Sequence, residues 1–209
     1  MKTSQRIYLP FKRLIGILGS FVGIIVCFVF LWWWVIPVNA IVTRGHPFFV
    51  QERYGKNKKI FMMIKFRSMK MDADPNLAPS DMGEKKQKSM ETKFGAFLRK
   101  TSIDETPQLL NVFIGQMAFI GPRPVIDASD GLVTINKRKE IGSIALRPGI
   151  SGCDQIHGRR AEGHMIKVEM VGYHFGNFIF LPTLIFLVVL FLAYSKRADS
   201  SFDMCLWAN

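Results

Sequence analysis

Between Leu14 and Val42 the sequence carries no charged side chain. This run of about 29 residues exceeds the roughly 20 that a helix needs to cross the hydrocarbon of a bilayer. Lys2, Arg6, Lys12 and Arg13 precede it with no acidic residue among them, so the positive-inside rule keeps that end in the cytoplasm. Trp32, Trp33 and Trp34 suit the polar boundary of a membrane. A cleaved leader is the competing reading, but the run is too long for a leader's apolar core and no clear small-residue cleavage site follows it. Two topologies remain open. A single crossing puts everything beyond Arg44 outside the cell, whereas a segment that enters and turns back leaves the rest in the cytoplasm. Pro37 lies within the run and can break a helix, because it lacks a backbone donor. A second apolar run, Phe178 to Tyr194, has Pro182 near its start and Lys196 and Arg197 after its end. It either spans the bilayer or lies along its surface.

The rest of the 209 residues is enough for one small domain with its own core. The expected fold class is mixed α/β, a mainly helical small catalytic domain between an N-terminal membrane-embedded helix, re-entrant or spanning, and a C-terminal apolar membrane segment. The expected divisions are 1–44, 45–170 and 171–209. The 28 Lys and Arg against 16 Asp and Glu leave a net charge of +12. An apolar and basic chain implies an anionic membrane surface, a phosphorylated ligand or nucleic acid as partner. The three cysteines, Cys27, Cys153 and Cys205, form neither a zinc pattern nor a disulfide framework.

Ile60–Ile64 reads as a strand, with a basic turn following at Lys65-Phe66-Arg67. Residues 70–93 are polar and read as an exposed loop, and a helix is expected from Phe94 to Lys100. The most informative stretch is Ser102-Ile103-Asp104-Glu105-Thr106-Pro107-Gln108-Leu109-Leu110. Ser102 with Glu105 would make a capping box, but Pro107 would then be the fifth helical residue, where its missing N–H should donate. Thr106 as N-cap with Pro107 first in the helix fits better. Asp104 and Glu105 then stand just ahead of a helix N-terminus, whose positive end favours their ionised forms. An Asp-Glu pair alone is more often a solvated turn. Gly115 can end this helix. Beyond it lie the apolar Met117–Ile120, the turn Gly121-Pro122-Arg123-Pro124 and the segment Leu146-Arg147-Pro148-Gly149-Ile150-Ser151-Gly152, then Gln155 and Gly158-Arg159-Arg160. Arginine on Gly/Pro turns suits phosphate, because glycine admits the anion and guanidinium grips two oxygens. A basic loop residue taken singly is ordinary surface. No GxGxxG, Walker A or HExxH motif occurs.

Taken in order, these motifs resemble the bacterial sugar transferases, the monotopic phosphoglycosyl transferases that start glycan assembly on undecaprenyl phosphate. The resemblance runs from Lys12-Arg13 to about Arg159. It is carried by Phe48-Phe49-Val50-Gln51-Glu52-Arg53-Tyr54-Gly55, Lys65-Phe66-Arg67-Ser68-Met69, Leu98 through Leu109, Ile120-Gly121-Pro122-Arg123-Pro124 and Arg147-Pro148-Gly149-Ile150-Ser151-Gly152. The family pattern differs at Gly16, where an acidic residue is usual, at Val29, where a proline breaks the membrane helix, and near Val171, where an Asp is usual.

The resemblance implies that Asp104 is a nucleophile and that Glu105 binds Mg²⁺. It implies that Lys65, Arg67, Arg99, Arg123, Arg147, Gln155 and Arg159 bind the phosphates of a UDP-sugar and of undecaprenyl phosphate. The implied setting is membrane lipid at the bacterial cytoplasmic membrane, with the catalytic domain facing the cytoplasm where UDP-sugars are found and the first segment therefore re-entrant. A homo-oligomer or glycan-assembly enzymes are the implied protein partners, and no nucleic acid. Three other readings compete. One is an inactive relative that scaffolds glycan assembly. Another is a tethered nucleic-acid binder, which would want cations and aromatics in one groove. The third is a Cys153/His157 hydrolase, which lacks a third partner.

Overall fold

The computed structural model describes residues 3–71, 89–126, 129–140 and 142–151. The segment from 178 to 194, Gln155 and Arg159 lie outside the described residues. The chain begins with a long helix in two parts, α1 (Thr3–Cys27) and α2 (Trp33–Thr43), joined by a π turn at Phe28–Trp32. A hairpin follows, with β1 (Phe48–Tyr54) antiparallel to β2 (Ile60–Phe66). Next come α3 (Lys93–Thr101), a 3₁₀ turn at Ile103–Glu105 and α4 (Gln108–Ile114). Strand β3 (Ala118–Ile120), helix α5 (Ser129–Glu140) and strand β4 (Gly149–Ser151) complete the described part, with β3 and β4 parallel. The fold is thus mixed helix and sheet, as expected.

The long helix is the backbone of the assembly. Leu9–Thr43 is long and apolar enough to cross a membrane, yet one stripe of it is covered by the rest of the chain. Gly16, Gly19 and Gly23 let α4 and β3 approach. A Cβ on them would meet Val112, Phe119 and Leu109 at 3.8, 3.0 and 3.1 Å. Arg13 donates to the carbonyls of Val112 and Phe113 at the end of α4, the first of which also accepts from Gly115 N. Further along, Cys27, Trp32 and Val35 form a core with Phe66 and Leu98, and Asn39 donates to Pro47 O at 2.7 Å. The opposite face, including Leu14, Leu18, Phe21, Val22, Ile25 and Phe28, is exposed.

The expected break at Pro37 is not where the helix departs from α geometry. Pro37 sits inside α2, and the irregularity falls earlier, at the π turn that contains Val29. A proline cannot donate to the carbonyl four residues back. That carbonyl belongs to Trp33, the first residue after the π turn, where a widened turn can take up the displaced backbone.

Asn111 joins helix to hairpin. Its Oδ1 accepts from Ile64 N at 3.2 Å and its Nδ2 donates to Met62 O at 2.8 Å, so a buried side chain acts as a third strand along β2. Helix α3 is strapped to the end of β2. Thr92 caps it by accepting from Gly95 N at 2.8 Å, Thr92 N donates to Ser68 O, and a Cβ on Gly95 would lie 2.0 Å from Ser68 O. The expected strand continues through Lys65 and Phe66, so these are strand residues and not a turn.

Candidate active site

Helix α3 ends at Ser102, which adopts a left-handed conformation at φ 56°. A non-glycine residue there costs about 1 kcal/mol, and the sharp turn sends Ile103-Asp104-Glu105 back across the end of the hairpin as a 3₁₀ turn. Thr106 is not an N-cap, contrary to the sequence expectation. Thr106 N bonds to Ile103 O and Leu109 N to Thr106 O, so the 3₁₀ turn runs into α4 without a gap to cap. The Thr106 hydroxyl instead donates to Ile103 O and accepts from Trp32 Nε1 at 3.1 Å. The acidic turn is thereby tied to the membrane helix.

Asp104 is buried, at 8% exposure. Burial, then the charge of Glu105, pushes its carboxyl up from 3.8 to about 6, while Lys65, Arg99 and a backbone hydrogen bond pull the other way. The sequence reading expected a helix end to hold this group ionised. Burial outweighs it, and the short α4 supplies no strong compensating field. Glu105 faces Lys65, with Nζ 3.5 Å from Oε1. On β2, Lys65 pairs with Phe49, and Met63 with Gln51. Burial pulls the lysine below its usual value, with Glu105 opposing.

Lys65 and Glu105 open onto a cleft lined also by Arg53, Met63, Gln108 and Arg123. Arg123 stands on the Gly121–Pro124 turn. That turn is locked to β4 by Gly121 N to Ser151 O at 2.9 Å and Gly149 N to Pro122 O at 3.0 Å. A Cβ on Gly121 would sit 2.3 Å from Arg147 O, so the approach requires glycine. Arg99 is a second cation whose charge acts on Asp104. Its Nε donates to Ser68 Oγ at 2.8 Å and its Nη1 lies 3.3 Å from Glu91.

Two cations of the sequence reading are held elsewhere. Arg67 donates to His46 O and stacks over Phe49 at 5.8 Å. Arg147 donates to Gly115 O at 2.8 Å, at the end of α4 near Arg13. The cleft also contains two residues that the sequence reading did not single out, Arg53 and Gln108. Arg53 could have been found from hairpin register, since an antiparallel pair with short connection brings 51, 53, 61, 63 and 65 to one face.

A divalent ion fits this donor set. Among the described residues no group of three acidic, His or Cys side chains exists to cage a metal. Mg²⁺ commonly takes one or two carboxylates and completes its shell with substrate phosphate and water, and Glu105, which lines the cleft, is one such carboxylate.

The profile for the family described as bacterial sugar transferase matches residues 7–195. The galactosyl transferase CpsE of Streptococcus agalactiae serotype III (strain NEM316) is 36% identical over 169 residues, 76% of this chain and 36% of that protein. EpsL, a sugar transferase of Bacillus subtilis (strain 168), is 36% identical over 147 residues, 69% of this chain and 68% of EpsL. A UDP-glucose:undecaprenyl-phosphate glucose-1-phosphate transferase of Klebsiella pneumoniae is 38% identical over 165 residues, 75% of this chain and 33% of that protein. The chain therefore spans about a third of the length of two of these relatives. With the family profile covering most of its length and an acidic turn set in a cationic cleft, the chain belongs to the bacterial sugar transferase family.

Proposed function

We propose that the chain transfers a sugar-1-phosphate from a UDP-sugar to undecaprenyl phosphate, releasing UMP. The observation that carries this reading is a buried carboxylate, Asp104, under the influence of the Lys65 and Arg99 charges and next in sequence to Glu105, which lines a cleft rich in cations. In the first step an Asp104 oxygen attacks the β-phosphorus. The bond from that phosphorus to the bridging oxygen breaks, and UMP leaves with that oxygen. In the second step a phosphate oxygen of the carrier attacks the same phosphorus and returns the carboxylate to Asp104. Splitting the transfer in two is ordinary covalent catalysis. Lys65 and Arg99 hold Asp104 toward its ionised form, and Arg123 faces the phosphates. Glu105 would hold Mg²⁺, which supplies charge neutralisation at the phosphates.

The membrane position follows from the covered stripe of the long helix. Its contacts with the rest of the chain run from Arg13 to Asn39, roughly 39 Å at 1.5 Å per residue. That is longer than the roughly 30 Å of hydrocarbon. A helix that threaded the bilayer perpendicular to its plane would carry the polar catalytic part through the lipid with it. On this reading the helix lies against the domain and offers its apolar face to one leaflet, and the cytoplasmic side is chosen because the nucleotide donor is found there.

The test uses purified protein in nanodiscs with Mg²⁺, undecaprenyl phosphate and a panel of UDP-sugars. UMP released with a subset of donors, and absent from Asp104→Asn, is the expected result. UDP as product would refute the phosphosugar transfer. No nucleotide product from any donor would favour an inactive scaffold.

A further inference from the structure

Gln108 is the first residue of α4. It is only 3% exposed, yet it lines the cleft beside Lys65, Glu105 and Arg123. Its carboxamide makes no hydrogen bond to the rest of the described chain. A buried amide left unpaired is costly, and buried side chains of this kind call for a partner. Among the described residues, the side-chain atoms both unbonded and shut off from solvent are Asn39 Oδ1, Arg53 Nε and Arg138 Nε. The amide oxygen and nitrogen of Gln108 are not among them. The little surface that this residue keeps therefore includes its amide, and the open space it meets is the cleft.

The cleft shows what such an amide is for. Arg53, Lys65 and Arg123 can only donate hydrogen bonds, and the ionised Glu105 can only accept them. Gln108 does both from one planar group. Phosphate oxygens, which only accept, are already served by the cations. The group that an amide matches and the cations do not is one that also donates and accepts at once, and a hydroxyl is such a group.

Position selects which hydroxyl. Gln108 follows Glu105 by three residues and Asp104 by four, along a 3₁₀ turn that runs directly into α4. Residues at those spacings share a face. In the proposed transfer the attacking Asp104 oxygen and the departing UMP stand roughly in line, on opposite sides of the β-phosphorus. The uridine is thus carried away from the nucleophile. The hexose hangs on the same phosphorus through its anomeric oxygen and stays beside the line of attack. A side chain one turn from Asp104 is placed for the hexose.

We propose that Gln108 is a specificity-determining residue whose carboxamide bonds to a hydroxyl of the hexose in the donor. This deepens the transferase reading and rests on it for the identity of the donor.

The experiment uses the full chain in nanodiscs, as wild type and Gln108→Met, which keeps the volume without the amide. Donors are the best UDP-sugar of the panel, analogues each lacking one hexose hydroxyl, and an analogue lacking a ribose hydroxyl. At one hexose position, loss of the hydroxyl should lower kcat/KM of wild type by about tenfold or more. Q108M should lose a similar factor on the parent donor and nothing further on that analogue, while the other analogues cost both proteins alike. This non-additivity is the signature of direct contact. A glutamine that merely packs in the first turn of α4 would lower the melting temperature and weaken all donors equally. Should Q108M not fold, Gln108→Ala decides by the same comparison. Additive losses at every hexose position, a parent kcat/KM within about twofold of wild type, or coupling to the ribose hydroxyl would overturn the proposal while leaving UMP release intact. Melting separates the two readings without turnover. The UDP-sugar should stabilise wild type more than UDP does, and Q108M should lose that excess but keep the UDP shift. The same loss with no UMP from any donor would sink the transferase reading and leave the hexose contact standing.

Discussion

Replacing Asp104 by Asn should abolish UMP release and make the protein more stable. Burial with Glu105 beside it lifts the Asp104 carboxyl from 3.8 to about 6. At about 1.36 kcal/mol per tenfold change in proton affinity, keeping it ionised costs up to about 3 kcal/mol, and solvent reaching the cleft reduces this to roughly 1–3 kcal/mol. Asn keeps the shape without the charge. For a chain of this size that corresponds to about 3–10 °C in melting temperature. The gain must depend on pH in a definite sense. An acid whose folded value is raised binds its proton more tightly in the native state, so the native state loses stability as pH rises from about 4 to about 6. The variant has no such loss. The difference between the two proteins should be full at pH 8, about half as large at pH 5 and nearly absent at pH 4. Melting of wild type and D104N in nanodiscs at these pH values measures it. A variant less stable than wild type at pH 8, or a gain independent of pH, would show that Lys65 and Arg99 outweigh burial and that the carboxylate is not held at a cost.

Three further outcomes are expected. The pH profile of kcat/KM for the UDP-sugar should show an acid limb near 6, set by Asp104, and should fall tenfold per pH unit below it. A profile flat down to pH 5 would show that burial does not lift this carboxyl to about 6. Asn111→Leu should lower stability by about 3 kcal/mol, because Ile64 N–H and Met62 C=O lose their partner in the interior, and thermal melting reads it directly. Gly95→Ala should cost about 2 kcal/mol or more, since its Cβ would meet Ser68 O. It should also reduce turnover, because Arg99 bonds to that same serine. Melting and UMP release measured on one preparation test both effects.

The parts of this fold that depend on neighbouring residues in sequence were legible without coordinates. The helix expected over 94–100 forms over Lys93–Thr101. Gly115 ends its helix with φ 99°. The apolar run after it becomes β3. The strand at 60–64 forms and extends by two residues. What sequence did not reveal depends on partners far along the chain. Arg53 joins the cleft through hairpin register and through a bond from Tyr54 to Val125. Asn111 looks like any helical asparagine until β2 lies beside it. The behaviour of Asp104 was read in the wrong direction, because the nearby cations are visible in sequence and the burial that outweighs them is not. Thr106 has the composition of an N-cap, yet Trp32, 74 positions away, takes its hydroxyl.

The π turn at Phe28–Trp32 has a consequence for how the chain tolerates insertions and deletions. Each residue advances an α-helix by about 100°, so adding or removing one swings every later side chain to a different side. Gly16, Ser20 and Cys27 before the turn, Trp32 at its last position, and Val35, Asn39 and Thr43 after it all face the domain. The spacing within each group is three, four or seven, but five residues separate Cys27 from Trp32. The turn is therefore a stored extra residue. Shortening the chain by one position within 28–32 would convert the turn to ordinary α-helix and leave both halves facing as they do. The same deletion at 36 would turn Asn39 and Thr43 away from the domain, and one at 20 would also take Cys27, Trp32 and Val35 out of register with Phe66 and Leu98.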